Sequence, residues 1–228
     1  MKFVVPVKAS TLYRLIEETG GRLLNASGFD RVGPRTWVRS TKVPIRELIY
    51  FRPPHSYLGA TPVWAFSLDY VPDAHHTNNF EVRWHARAER VVFDLGYDPL
   101  EYDWNGRPRW SIPTDEGPGC ARERAAAVVR LTLESALRSF FDPVGTVADL
   151  PTAFEAKLRR APWAKHGRPP WGAFMPQEQL AYAFTLARLG RPDEGRVWLE
   201  RFTGGDRLMP RVTRRHIGEL YDLASGGG

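Results

Sequence analysis

The strongest constraint on this chain is a change of period within residues 10–53. Leu12, Leu15, Ile16, Leu23 and Leu24 recur at helical spacing with Glu17 and Glu18 on the polar side, so a helix of residues 11–26 is expected, with Ser10 as its N-cap. After Gly28 and Phe29 the pattern becomes short extended runs, 36–40 and 45–52, rich in aromatic residues and arginine. An amphipathic helix followed by strands of this kind buries its apolar stripe against a sheet, which is an α+β arrangement. Gly20 and Gly21 stand inside the helix, and a glycine there costs about 1 kcal/mol against alanine, so a kink or break is expected at the pair.

Two further runs, 63–70 and 80–85, are bounded by turn-forming residues. In the first, Trp64, Phe66, Leu68 and Tyr70 alternate with Val63, Ala65, Ser67 and Asp69, the pattern of a sheet with one well-buried face. Phe80, Val82 and Trp84 repeat it opposite Glu81, Arg83 and His85. Residues 2–8, with Phe3, Val5 and Val7 alternating, suit an edge strand that tolerates Pro6, and residues 88–112 read as a strand with a long loop or hairpin. From Gly119 the helical period returns in Val129, Leu133, Ala136 and Phe140, predicting a long helix over 120–141 that Pro143 and Gly145 end. Asp149 or Thr152 then caps a short helix through Arg160.

Residues 161–176 hold four prolines, two tryptophans and two glycines without any period, and three helices follow at 177–189, 193–202 and 211–223. The expected organisation is an α+β domain over 1–160, with an N-terminal helix, an antiparallel sheet of four to six strands and a long helix packed on it. A Pro/Trp-rich linker over 161–176 and a helical appendage over 177–224, a hairpin plus a terminal helix, complete it. The expected core contains Leu15, Trp37, Phe51, Trp64, Phe66, Leu68, Val82, Trp84, Leu133 and Phe140.

Four groups of residues carry a resemblance: Leu24 to Phe29, Arg35 to Arg39, Ile49 to Arg52 and Phe66 to Tyr70. In this order the chain resembles the bacterial domain of unknown function 4304 family over about residues 10–158, departing from it in 88–110. The resemblance implies a small cytoplasmic protein of helix, meander and helix, with no established reaction and no catalytic residue to carry over. Some members are suspected to be antitoxin-like partners of other proteins. Separately, residues 180–202 are similar to one tetratricopeptide-type helical hairpin. A second copy at the period of about 34 residues is lacking, so a single hairpin is expected.

The formal charge of +6 and pI of about 9.7 raise the question of nucleic acid. Arginine supplies 27 of the 32 cations, and the first 116 residues hold 15 basic against 14 acidic residues, so the excess is C-terminal, where 17 face 12. A solvated basic face accounts for such an excess without a phosphate ligand. The single cysteine, Cys120, excludes an intrachain disulfide. The absence of a charged-then-apolar leader points to the cytoplasm, and no stretch approaches the roughly 20 apolar residues of a membrane span.

No phosphate-binding glycine loop, zinc-protease helix, hydrolase elbow or paired-cysteine motif is present. His75, His76 and His85, with Asp73 and Glu81, are the metal candidates, but adjacent histidines on an extended chain point to opposite sides and the surrounding composition is that of a solvated loop. Asp94, Asp98, Glu101 and Asp103 match no calcium loop, and Cys120 at a helix start has no placed base. The remaining candidate is the basic, aromatic stretch from Lys157 to Trp171. Trp163, Lys165, Arg168 and Trp171 are there the expected partner-binding residues, because tryptophan and arginine dominate interface hot spots. The structural reading makes the stretch a strap whose tryptophans dock the helical appendage, and Pro162, Pro169 and Pro170 argue for it because they stiffen a segment that crosses between two packed units.

These readings converge on a non-catalytic binding or regulatory protein with a protein partner, no cofactor and no membrane. Two alternatives stay open: a metal-dependent enzyme around His75, His76 and His85, and nucleic-acid binding through the C-terminal basic patch, which includes Arg207, Arg211, Arg214 and Arg215.

Overall fold

The structure is a computed structural model that describes residues 7–52, 59–72, 95–97, 110–112, 117–160, 176–205 and 211–226. Helix α1 (Ala9–Ala26) begins earlier than its apolar stripe, with Lys8 rather than Ser10 as N-cap and no side chain capping it. It runs unbroken through Gly20 and Gly21. The expected kink is absent because Gly20 is a contact: a Cβ there would lie 2.6 Å from both methyl groups of Val129, so the missing side chain admits the neighbouring helix. The helix ends where the period changes. Gly28 takes φ 82°, its N–H donates to Asn25 O and the Phe29 N–H donates to Leu24 O, the Schellman closure that turns the chain out of the helix.

Five strands follow in the sheet order β1 (Asp30–Gly33), β2 (Thr36–Lys42), β3 (Ile45–Arg52), β4 (Thr61–Leu68) and β5 (Leu95–Tyr97). The first four form an antiparallel meander. Asp30 lies opposite Val38 and Arg31 opposite Trp37, with an irregularity in register before Gly33. In β4 every residue after Thr61 is buried, Val63, Ala65 and Ser67 as well as Trp64, Phe66 and Leu68, so both of its faces are covered rather than one. Tyr70 lies beyond the strand, in a turn. The expected strands over 2–8 and 80–85 fall outside the described residues apart from Val7 and Lys8, which are not in a strand.

Helix α2 (Pro118–Ala136) continues into a π-helical turn, Leu137–Phe141, closed by the Asp142 N–H on Leu137 O at 2.8 Å. The wider turn adds one residue to the helical phase, so Phe141 is fully buried, 5.8 Å from Phe29, and Phe140 is only half-buried. Helix α3 (Leu150–Arg160) is entered through a 3-10 turn, Val147–Asp149. Thr146 caps that turn, and Asp149, one of the two expected caps, immediately precedes α3, while Thr152 lies inside it. The Asp149 carboxylate reaches back to accept from the Gly145 N–H, the Thr146 N–H and the Thr146 hydroxyl. Those donors, Thr146 foremost, hold its pKa below the usual carboxylate value. Helices α4 (Pro176–Arg188), α5 (Pro192–Gly205) and α6 (Arg211–Ala224) complete the chain. The molecule is thus α+β with a helical C-terminal part.

The chain divides into two compact units. One comprises Met1–Thr41, Glu47–Ala65 and Tyr97–Pro143; the other comprises Lys42–Arg46, Phe66–Gly96 and Val144–Gly228. In the first unit α1 packs on α2, and Leu12, Leu15, Ile16, Trp37, Ile49, Phe51, Trp64, Val128 and Leu133 are buried. Glu47 stands among them with no exposure, on the same side of β3 as Ile49 and Phe51. A charge there requires a counter-charge. Arg39 on β2 supplies it, its Nε donating to the Glu47 carboxylate while its guanidinium lies 5.0 Å from the Phe29 ring centroid. In the second unit Phe66, Leu68, Leu150, Phe154, Leu180, Phe202, Ile217 and Tyr221 are buried. The Arg46 guanidinium there forks onto Asp69 at 2.7 and 2.9 Å. Among the described residues no helix is long and apolar enough to cross a membrane.

Candidate interaction site

In the second unit, α3 and α4 flank the tryptophan-bearing stretch and are joined directly. Lys157, near the end of α3, donates through Nζ to Glu178, in the first turn of α4. Glu178 is 2% exposed, so this is a partly buried ion pair rather than a surface contact. The acid is well placed twice over, opposite a lysine and at a helix N-terminus, where negative charge is favoured. One turn inward Phe154 stacks on Tyr182 at 4.8 Å, and Tyr182 meets Trp198 of α5 at 5.2 Å. Burial, with the Glu155 charge adding to it, raises the Tyr182 phenol above its ordinary pKa, so it stays neutral.

The start of α4 is anchored again. Gln177 is buried and donates through Nε2 to Pro72 O at 3.1 Å, and further along the helix the Tyr70 hydroxyl lies 3.0 Å from Thr185 Oγ1 with Arg188 over the Tyr70 ring. Glycine makes the hairpin close. Gly195 on α5 lies against Ala183 of α4 and Tyr221 of α6, and the Tyr221 hydroxyl donates to Pro192 O at 2.7 Å.

The four residues expected to bind a partner, Trp163, Lys165, Arg168 and Trp171, lie outside the described residues, as do His75, His76, His85, Asp94, Asp98, Glu101 and Asp103. Lys157, the first cation of that stretch, is paired with Glu178. The Lys157–Glu178 and Gln177–Pro72 anchors escaped sequence reasoning. The visible signal was a glutamate two residues after Pro176 at a helix start. Cys120 is exposed in the first turn of α2. Among the described residues no three histidine, cysteine or acidic side chains gather as a metal site. Three arginines in this part of the chain face acids: Arg191, just before α5, forks onto Glu194 at 2.7 Å, Arg196 of α5 reaches Asp222 of α6 at 2.8 Å, and Arg215 of α6 lies 3.6 Å from Glu219.

Fold and anchors together define the class: an α+β protein whose helical C-terminal part holds both flanks of a tryptophan- and arginine-bearing segment. No protein family, curated protein or solved structure matches this chain.

Proposed function

We propose that this protein is a non-catalytic binding or regulatory protein that recognises a protein partner through Trp163, Lys165, Arg168 and Trp171. The supporting observation is the joining of α3 to α4 by Lys157–Glu178 and by the Phe154–Tyr182 stack, which holds together the two ends from which residues 161–175 depart. Holding the ends of a binding segment lowers the entropy lost when it engages a target. Tryptophan and arginine are the residues that most often carry interface energy. The pairing of Arg191, Arg196 and Arg215 with carboxylates favours a protein partner over nucleic acid, since phosphate binding needs cations that are not already neutralised.

The test is an affinity capture from lysate of the host, with and without nuclease treatment and at low and high salt, with the intact protein beside the Trp163→Ala/Trp171→Ala variant. One defined protein is expected to survive high salt with the intact chain and to be lost with the variant. Equal recovery by the variant overturns the assignment to these tryptophans. Capture that disappears with nuclease treatment overturns the protein-partner reading.

A further inference from the structure

The first unit contains a cation held in an unusual way. Arg35, at the β1–β2 turn, places its guanidinium carbon 5.7 Å from the Tyr13 ring centroid and 5.2 Å from that of Tyr50. All three residues are half-buried, contributed by α1, the turn and β3. The Arg35 carbonyl accepts the Phe51 N–H at 2.9 Å, which fixes the backbone beneath the side chain. Among the described residues, however, the Arg35 side chain donates no hydrogen bond and has no carboxylate partner. This contrasts with Arg31 on Glu17, Arg39 on Glu47 and Arg122 on Glu18 in the same unit.

Aromatic faces stabilise a guanidinium without using its five N–H donors, which lie in the plane of the group. Two rings thus restrict where Arg35 sits while its fork stays unspent, and a half-buried fork gains most from a planar acceptor able to take two parallel bonds. That acceptor is a carboxylate. The cluster adds a single positive charge, because the ionised neighbours along α1, Glu17 and Glu18, are already engaged by Arg31, Arg14 and Arg122. One charge matches a monoanion better than a phosphate dianion.

We propose that Arg35, positioned by Tyr13 and Tyr50, is a recognition site for a glutamate or aspartate side chain of an acidic peptide segment. It is a different surface from the tryptophan-bearing segment of the second unit and does not depend on the role assigned there. The test titrates the full-length protein with a capped tetraglutamate peptide, a capped tetraglutamine peptide and inorganic phosphate, following the Arg35 Nε–H and the tyrosine ring signals by NMR. A saturable shift with tetraglutamate alone is expected. It should weaken about tenfold in Arg35→Lys, which keeps the charge and loses the fork, and vanish in Arg35→Gln. The lysine variant keeps the test open if the glutamine variant does not fold. Equal shifts with tetraglutamine, tighter binding of phosphate than of tetraglutamate, or an undiminished response in a folded Arg35 variant each overturn the proposal.

Discussion

A methyl group at position 195 has nowhere to go. It would meet the Tyr221 hydroxyl and would lie 2.6 Å from the backbone oxygen of Ala183, an atom that cannot swing aside. Gly195→Ala should therefore destabilise the protein by about 3 kcal/mol, at the upper end of overpacking costs, as measured by denaturant unfolding. Adding Tyr221→Phe should restore only part of the loss, since the Ala183 carbonyl remains. Tyr221→Phe alone should cost about 1 kcal/mol at neutral pH, the worth of its bond to Pro192 O. Burial pushes the Tyr221 phenol up to about 12. A pKa raised on folding contributes stability that is complete below the unfolded value of about 10 and is lost as pH climbs towards 12. The melting temperature should accordingly fall more steeply across that alkaline window in the wild type than in Tyr221→Phe.

At the scale of elements, pattern was legible and contact was not. The stripe from Leu12 to Leu24 located α1 because a buried helical face imposes its period, whereas the alternation around Trp64 located β4 but not the burial of its second face. A glycine inside a helix reads as a weakness when propensity is the only guide. Gly20 becomes a contact only when Val129, more than a hundred residues away, is known to lie against it. Phe140 and Phe141 show the same limit, since one residue of π-helix exchanges their roles and the pattern of spacing contains no sign of it. Gly20→Ala should destabilise the α1–α2 pair by about 1–3 kcal/mol, and Val129→Ala should also destabilise it by removing buried methyl groups. The double variant should be more stable than the sum of the two losses, because each change makes room for the other, and a double-mutant cycle measures the difference.

On the scale of the whole molecule, the division into two units crosses the chain within β3, between Arg46 and Glu47, and within β4, between Ala65 and Phe66. β3 and β4 each contribute residues to both units, so the two are expected to unfold together. Tryptophan fluorescence, whose eight reporters include Trp37, Trp64 and Trp110 of one unit and Trp198 of the other, should therefore change in the same single transition as the far-UV circular dichroism. Two separated transitions would mean that the units fold independently. A boundary drawn in the linear order of residues at 161–176 has no counterpart in this division, since α3 and α4 belong to one unit. Composition marks where a period stops, and it says nothing of where the chain goes next.

The join between α3 and α4 also separates connectivity from cohesion. Lys157 with Glu178, and Phe154 with Tyr182, tie the helices on either side of residues 161–175 by forces other than the peptide bond. A polypeptide severed in that interval by an inserted protease site should travel as one particle through gel filtration, its two pieces parting only in denaturant.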